Sequence, residues 1–456
     1  MSWIVAALLA GCTPEAEVAP PALVGGPGLS LTFVGDAPRN VVVYTVDTMR
    51  RDRLPWYDSP HDTVPGLTDR AANVVAVDQA YTVGSWTVPS TAAQFSGLDA
   101  PRTEMVTGSD GVLQNGATLP AGTVAEMFKR AGYATALITG NPIVSEEHGF
   151  WQGVDYGDVW LGDGPNSYGV VAAAEAWVAG LREDQSFYLH LQPMDAHHPF
   201  DGTEFTGTFV DPDELPFELD APGEQTGPAR LALDALDGDL AGQEAMVARI
   251  RSTYDEEVLQ VDHALGSLLS ALELAGRLDD TLVVFTADHG ESLADGTTGA
   301  WRFGHSRTVF PELVHIPLAF YNPRLVGGRI EDCLVQNVDW MPTVASLVGV
   351  PLLAGDIDGR DMTQGCRPWG VSSTYRWSNI KSESSIEFAV AYDGRSAVRA
   401  TCSEAAYTYA AYDHGTDPNE ASPRTVGDVA HGNELHDILA VYLAEAAALW
   451  DGAACR

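Results

Sequence analysis

Positive charge is what this chain lacks most: 25 Lys and Arg stand against 63 Asp and Glu, a formal net charge of −38. Such an excess repels phosphate backbones and anionic lipid surfaces, which argues against nucleic acid as a partner and leaves solubility, in a salty medium, as the plain meaning of the acidity. A small anion taken as substrate would need positive charge supplied at its site, and a metal ion is the simplest supplier. Long apolar runs are missing too: the stretch from Trp3 to Ala10 is too short to span a bilayer. No internal repeat of useful length occurs. Cysteine is sparse and never spaced Cys-x-x-Cys, so nothing in the spacing points to zinc. After Cys12 there remain Cys333, Cys366, Cys402 and Cys455, an even set that two disulfides would use in an oxidising compartment. Pairing Cys333 with Cys366 and Cys402 with Cys455 is one of the three connectivities open to four cysteines.

What is present organises the chain into four parts. "MSWIVAALLAGC" ends in Leu9-Ala10-Gly11-Cys12, which resembles the bacterial lipoprotein box, with Cys12 as the lipidated residue, although no Lys or Arg precedes the apolar run. Residues 13–37, opening "TPEAEVAPPALVGGPG", read as a flexible tether. The 45% hydrophobic content suffices for a large core. "NVVVYTVD", "YATALITG", "SFYLHLQPMD" and "DTLVVFTADHG" have the uncharged, β-branched character of strands buried on both faces. They alternate with helical patterns such as "TVAEMFKRAG" and "YDEEVLQVDHALGSLLSALELAG", the latter stopped by Gly276. The expectation is an α/β domain over residues 38–350 with a mostly parallel sheet flanked by helices. The acidic segment from Asp211 to Gly242 reads as a surface excursion. Residues 351–456 change to consecutive short strands, "SIEFAVAYD", "SAVRATC" and "AAYTYAAYD", and a terminal helix around Glu434 to Trp450. That pattern predicts a smaller antiparallel sheet carrying a helix.

Ligands of open α/β sheets collect at the carboxyl ends of the strands. The first strand ends in Asp47, followed by Thr48, Met49, Arg50 and Arg51; a later one ends in Asp288-His289-Gly290-Glu291. Two carboxylates and an imidazole delivered to one edge make a divalent-metal set that needs one or two more oxygens. "SWTVPSTAAQFSGL" offers one. Pro89 suits the first turn of a helix, so Thr87 falls at its N-terminus, where the dipole favours anions. A hydroxyl held by a dication there is a stronger nucleophile. The same position also suits a simple N-cap.

Seven stretches in order tie these residues together: "NVVVYTVDTMRRDRL", "SWTVPSTAAQFSGL", "YLHLQPMDAHHPF", "YDEEVLQVDHALGSLL", "VVFTADHGESL", "FGHSRTVFPELVHIPLAF" and "NVDWMPTVASLVGVP". Over about 300 residues they resemble the sulfatase branch of the alkaline phosphatase superfamily. The resemblance implies the alkaline-phosphatase-like fold with a smaller C-terminal subdomain, and hydrolysis or transfer of sulfate or phosphate esters. Carried over position by position, it makes Asp47, Asp288 and His289 metal ligands and Thr87 a nucleophile that touches the metal. It places His197 beside the substrate and His305 at the leaving group or a substrate oxygen. His198 lies out of register with the motif.

The chain departs from the family where sulfatases are most distinctive. Thr-Val-Pro-Ser-Thr replaces Cys/Ser-x-Pro-x-Arg, so Thr87 cannot be oxidised to formylglycine and Thr91 stands in the place of the arginine. Thr48 replaces the second metal aspartate, and Asp288-His289 replaces the frequent Asp-Asn. A threonine nucleophile with an Asp, Asp, His set is similar to the phosphodiesterase and phosphoglycol- or phosphoethanolamine-transferase relatives, and imidazole shifts the metal from calcium toward manganese or zinc. Arg50 or Arg51 would then replace the missing arginine in holding the anion, surface solvation being the other reading of each. The favoured expectation is a single-metal hydrolase of a small anionic phosphate ester, exported to a bacterial cell envelope and tethered to the membrane only by lipid on Cys12. Sulfate ester hydrolysis by an unmodified Thr87, or a non-catalytic binding protein on the same fold, are the alternatives.

Overall fold

The structure is a computed structural model, and it describes residues 26–57, 59–103, 105, 119–120, 122–162, 166–198, 200, 204–211, 233–295, 302–306, 308–353, 355–374, 386–403 and 406–449. The expected leader, with Cys12, and most of the 211–242 excursion lie outside these residues. Its large sheet is built from β1 (Asn40–Val46), β2 (Val74–Tyr81), β3 (Ala134–Thr139), β4 (Tyr156–Val159), β5 (Phe187–Gln192) and β6 (Thr281–Ala287). A two-stranded hairpin follows, β7 (Ser292–Asp295) and β8 (Arg302–Gly304); β9 (Leu318–Tyr321) and β10 (Gly328–Gln336) then complete the sheet. The order is β10-β2-β9-β6-β1-β5-β3-β4, and every neighbour pair is parallel except the two made by β9. The carboxyl ends of β1, β2, β3, β5 and β6 therefore share one edge.

Every residue of β1 and of β6 is buried, which is why both read as unbroken apolar runs and not as alternating patterns. Each fully covered Val of β1 contributes about 1.5–3 kcal/mol relative to exposure. Helices cover both faces, among them Thr87–Ser96, Val124–Arg130, Asn166–Ala179 and the 35-residue Leu240–Leu274. The last ends before Gly276, whose φ of 65° turns the chain out of the helix.

The smaller sheet orders β11 (Gly370–Ser373), β12 (Ile386–Tyr392), β13 (Ser396–Ser403) and β14 (Ala406–Asp413), all antiparallel, and packs against the helix Gly432–Leu449 through Val398, Ala400, Leu435 and Leu439. Its edge strand is sewn to the segment that leads into the helix Thr87–Ser96. Ser373 N donates to Val83 O (3.0 Å), Ser85 N to Ser373 O (3.3 Å) and Trp86 Nε1 to Thr374 O (2.6 Å).

Two expectations need correction. The part of the tether that is described, from residue 26, lies against the core: Leu29 is buried, its N–H donates to Met362 O at 2.8 Å, and Phe33 bridges to Leu325. Burial of Leu29 overrides the Pro/Gly composition on which flexibility was read. The acidic excursion also ends earlier than Gly242, since the helix starts at Leu240, capped by Asp239. Cys333 and Cys366 form a disulfide; Cys402 is also disulfide-bonded, to a partner outside the described residues.

Two outcomes follow. Replacing Cys333 and Cys366 together with Ala opens a loop with a sequence separation of 33, and unfolding in urea should show a loss of about 3–4 kcal/mol. Asp262 is buried where it accepts from Gly66 N (2.7 Å) and Leu67 N (3.3 Å), and burial pushes its carboxyl up to about 7. The native state therefore holds more protons than the unfolded one above the unfolded carboxyl's ordinary pKa of about 4, and this contribution to stability is lost as pH rises toward about 7. Asp262→Asn keeps an acceptor oxygen and cannot ionise, so relative to the unsubstituted chain it should gain stability between pH 5.5 and pH 8 in urea titrations.

Candidate functional site

Register builds the centre of the site. Val46 of β1 pairs with Ala287 of β6, so the next residues, Asp47 and Asp288, leave the sheet side by side. Both are completely buried. Thr48 then turns the chain at φ 59°, a conformation that costs a β-branched residue about 1–3 kcal/mol. It is held there by Oγ1, 2.7 Å from the carbonyl oxygens of both Asp47 and Ala196, and by Tyr254 Oη donating to Thr48 O at 2.9 Å. The turn aims Thr48 N at Asp288 Oδ1 (3.2 Å), which also accepts from His289 N (2.8 Å).

His289 follows Asp288 directly, and Gly290 is required after it because a Cβ there would lie 2.0 Å from Glu312 O. His289 Nδ1 donates to Gly290 O at 2.8 Å, so Nε2 carries the lone pair. Nε2 lies 3.7 Å from Asp47 Oδ1, 3.5 Å from Asp288 Oδ2 and 3.4 Å from Thr87 Oγ1. Burial keeps the imidazole neutral, its pKa lowered to about 3. Burial, and then the neighbouring Asp47, push the Asp288 carboxyl well above the usual range.

These atoms fit a divalent cation. Asp47 Oδ1 is buried with no hydrogen-bond partner, and one atom from each of Asp47, Asp288 and His289 lies within 4.8 Å of the others. Three electron-rich atoms facing one another, one of them with no donor at all, is the arrangement a dication resolves. Among the described residues this is the one group of three or more His, Cys, Asp or Glu with such spacing.

Thr87 is the first residue of its helix and not a cap: the cap is Trp86, whose side chain makes no capping hydrogen bond. All ten residues of that helix are buried, and its polar side chains anchor it to the strand ends. Gln94 Nε2 donates to Ala287 O at 3.0 Å; Ser90 Oγ donates to Asp288 O and lies 2.7 Å from Thr82 Oγ1. Thr91, in the place of the family's arginine, is fully buried and brings no charge.

His197 and His305 stand beside His289, with ring centroids 5.1 Å apart from one another and 4.6 Å between His305 and His289. His198 joins them, 4.5 Å from His197 and 6.1 Å from His305, although its register had set it aside. The two arginines have other partners. Arg50 is buried, neither solvated nor available: its guanidinium donates to Asp52 (2.9 and 2.7 Å), Asp295 (2.7 Å) and Glu291 O (2.9 Å). Arg51 donates from Nε to Asp78 O at 3.1 Å and lies 3.8 Å above the Tyr57 ring.

Three residues escaped the sequence reading. Asn141 Nδ2 donates to Asp47 Oδ2 at 2.8 Å, and Gln192 Nε2 reaches Asp47 and Asp288 at 3.4 Å each. Glu291 Oε2 lies 3.1 Å from His305 Nδ1; burial would raise this carboxyl, but His305 together with His197 and His198 holds it low. The signal for Asn141 and Gln192 was position alone, since each is a polar residue at the carboxyl end of a buried strand.

Known proteins share this architecture. The family model described as Sulfatase matches residues 39–350. Human arylsulfatase A is 24% identical over 384 residues, covering 72% of this chain and 67% of that protein. The choline-sulfatase of Rhizobium meliloti is 25% identical over 361 residues, 69% of this chain and 68% of its own length. The fold matches that of the phosphonate monoester hydrolase of Silicibacter pomeroyi with a TM-score of 0.62 at 21% identity, over 89% of this chain and 94% of the other. The chain belongs to the sulfatase family of the alkaline phosphatase superfamily and is an ester hydrolase of that fold.

Proposed function

We propose that this protein is a metal-dependent phosphoester hydrolase in which the unmodified Thr87 hydroxyl is the nucleophile. The observation that carries the reading is the convergence of Thr87 Oγ1 on His289 Nε2 at 3.4 Å, beside Asp47 and Asp288. Asp47 Oδ1, Asp288 Oδ2, His289 Nε2 and Thr87 Oγ1 would hold the ion, manganese or zinc by the mixed carboxylate and imidazole set. When bound, it supplies positive charge to the non-bridging oxygens of the ester and acidifies the Thr87 hydroxyl.

The chain's own groups do the rest. The buried helix fixes the direction of Thr87 Oγ1, so an ester seated against its N-terminus meets the oxygen in line. The Thr87 hydroxyl gives up its proton to solvent and its oxygen bonds to phosphorus as the bond to the ester oxygen breaks; the departing alcohol takes a proton from protonated His305 or His197, and that histidine is reprotonated from the water that later attacks. Glu291 holds the His305 ring in place. His197 Nδ1 is engaged by His198 O, which leaves Nε2 for the substrate. Water then cleaves phospho-threonine and restores the hydroxyl. Export and lipid attachment at Cys12 belong to the same reading, supported by the disulfide Cys333–Cys366 and the Leu-Ala-Gly-Cys sequence.

The test is turnover of an aryl phosphate, a bis-aryl phosphodiester, an aryl phosphonate and an aryl sulfate by the metal-loaded protein. Phosphoester turnover should be highest, and Thr87→Ala should lower kcat by about a thousandfold or more. Preferred aryl sulfate turnover would return the protein to sulfate chemistry, the reading that the two sulfatase relatives favour. His289→Ala should reduce bound metal, measured by plasma mass spectrometry, from near equivalence to trace; unchanged metal content would overturn the ligand assignment.

A further inference from the structure

A cavity of about 1290 Å³ lies where the large domain meets the small sheet, and its lining includes none of the proposed catalytic or metal-binding residues. Six arginines line it, Arg50, Arg51, Arg251, Arg302, Arg395 and Arg399, in a chain whose carboxylates outnumber its cations by 63 to 25. Five carboxylates line it as well, and each already has a guanidinium. Arg50 engages Asp52 and Asp295 (2.7 Å each), and Arg251 shares Asp295 (2.7 Å). Arg302 engages Glu312 (2.9 Å) and Arg399 engages Glu420. Asp413 faces Arg424, which is not part of the lining, at 3.7 Å. Among the described residues Arg51 and Arg395 are left without a carboxylate: Arg51 touches only the Asp78 carbonyl and the Tyr57 ring, and Arg395 is exposed.

We propose that this cavity is a second oxyanion site, in which Arg51 and Arg395 take a phosphate or sulfate group carried on a larger organic ligand. Both line one concavity without a carboxylate partner, and a guanidinium presents the paired N–H donors that a tetrahedral oxyanion accepts. The volume far exceeds a bare anion and leaves space for an organic body, with the Tyr57 and Phe310 rings as apolar walls. Phe310 is itself pinned between Arg302 at 3.7 Å and Arg399 at 3.5 Å, so this wall is rigid before any ligand arrives. The site is independent of the chemistry proposed for Thr87.

The experiment titrates inorganic phosphate into the metal-loaded full chain by calorimetry and soaks crystals with tungstate to locate the anion. Two classes of phosphate site are expected, with Thr87→Ala retaining the second, and tungstate between Arg51 and Arg395. Combined Arg51→Gln and Arg395→Gln should weaken the second class about tenfold or more. If that pair fails to fold, Arg395→Gln alone, an exposed change, should weaken it severalfold with turnover unchanged. A single class of site unaffected by these changes, or tungstate only beside Thr87, would overturn the proposal. Absence of ester turnover would instead fault the catalytic reading and leave the second isotherm as it was.

Discussion

The structure turns on a repulsion. Parallel pairing of β1 and β6 forces Asp47 and Asp288 into adjacent places at the end of two fully buried strands. Two carboxylates without solvent cannot both be charged unless something positive comes between them. Everything nearby serves that need without satisfying it. Backbone N–H groups of Thr48 and His289 occupy Asp288 Oδ1, while the Asn141 amide occupies Asp47 Oδ2. The remaining oxygens face a lone pair on His289. A protein that wanted only stability would place apolar residues here, so the conflict is a mark of function.

Much of this was legible in the chain itself. Uncharged β-branched runs ending in Asp announced buried strands with a chemical edge, and Pro89 located the start of the helix that carries Thr87. The antiparallel sheet and terminal helix were equally plain. What escaped were properties set by contacts distant in sequence. Arg50 looked available because, beyond neighbouring Asp52, its partners Glu291 O and Asp295 lie 241 and 245 residues away. Asn141 and Gln192 carry no local pattern; only the neighbour order of β1, β5 and β3 brings their amides to Asp47. Leu29 hid within a Pro- and Gly-rich stretch because its burial depends on Met362.

The small sheet is more than an appendage. By bonding Ser373 and Thr374 to Val83, Ser85 and Trp86, it clamps the chain just before Thr87. The direction of the Thr87 hydroxyl is thus fixed from both sides, by β6 through Ser90 and Gln94 and by β11 through the backbone. A short buried helix held in this way has little freedom to reorient, so the Thr87 hydroxyl keeps one direction relative to Asp47, Asp288 and His289.

The two borders of the large sheet have a consequence for the molecule in a crowded solution. On one side β4 is only four residues long; on the other, β10 carries Arg329, Glu331 and Asp332 on its exposed half and breaks register between Ile330 and Leu334. Neither offers the flat, uncharged row of backbone groups on which a second chain could add a strand. The most apolar strands are thereby kept in the middle, and the protein can hold a wide sheet without templating its own fibres.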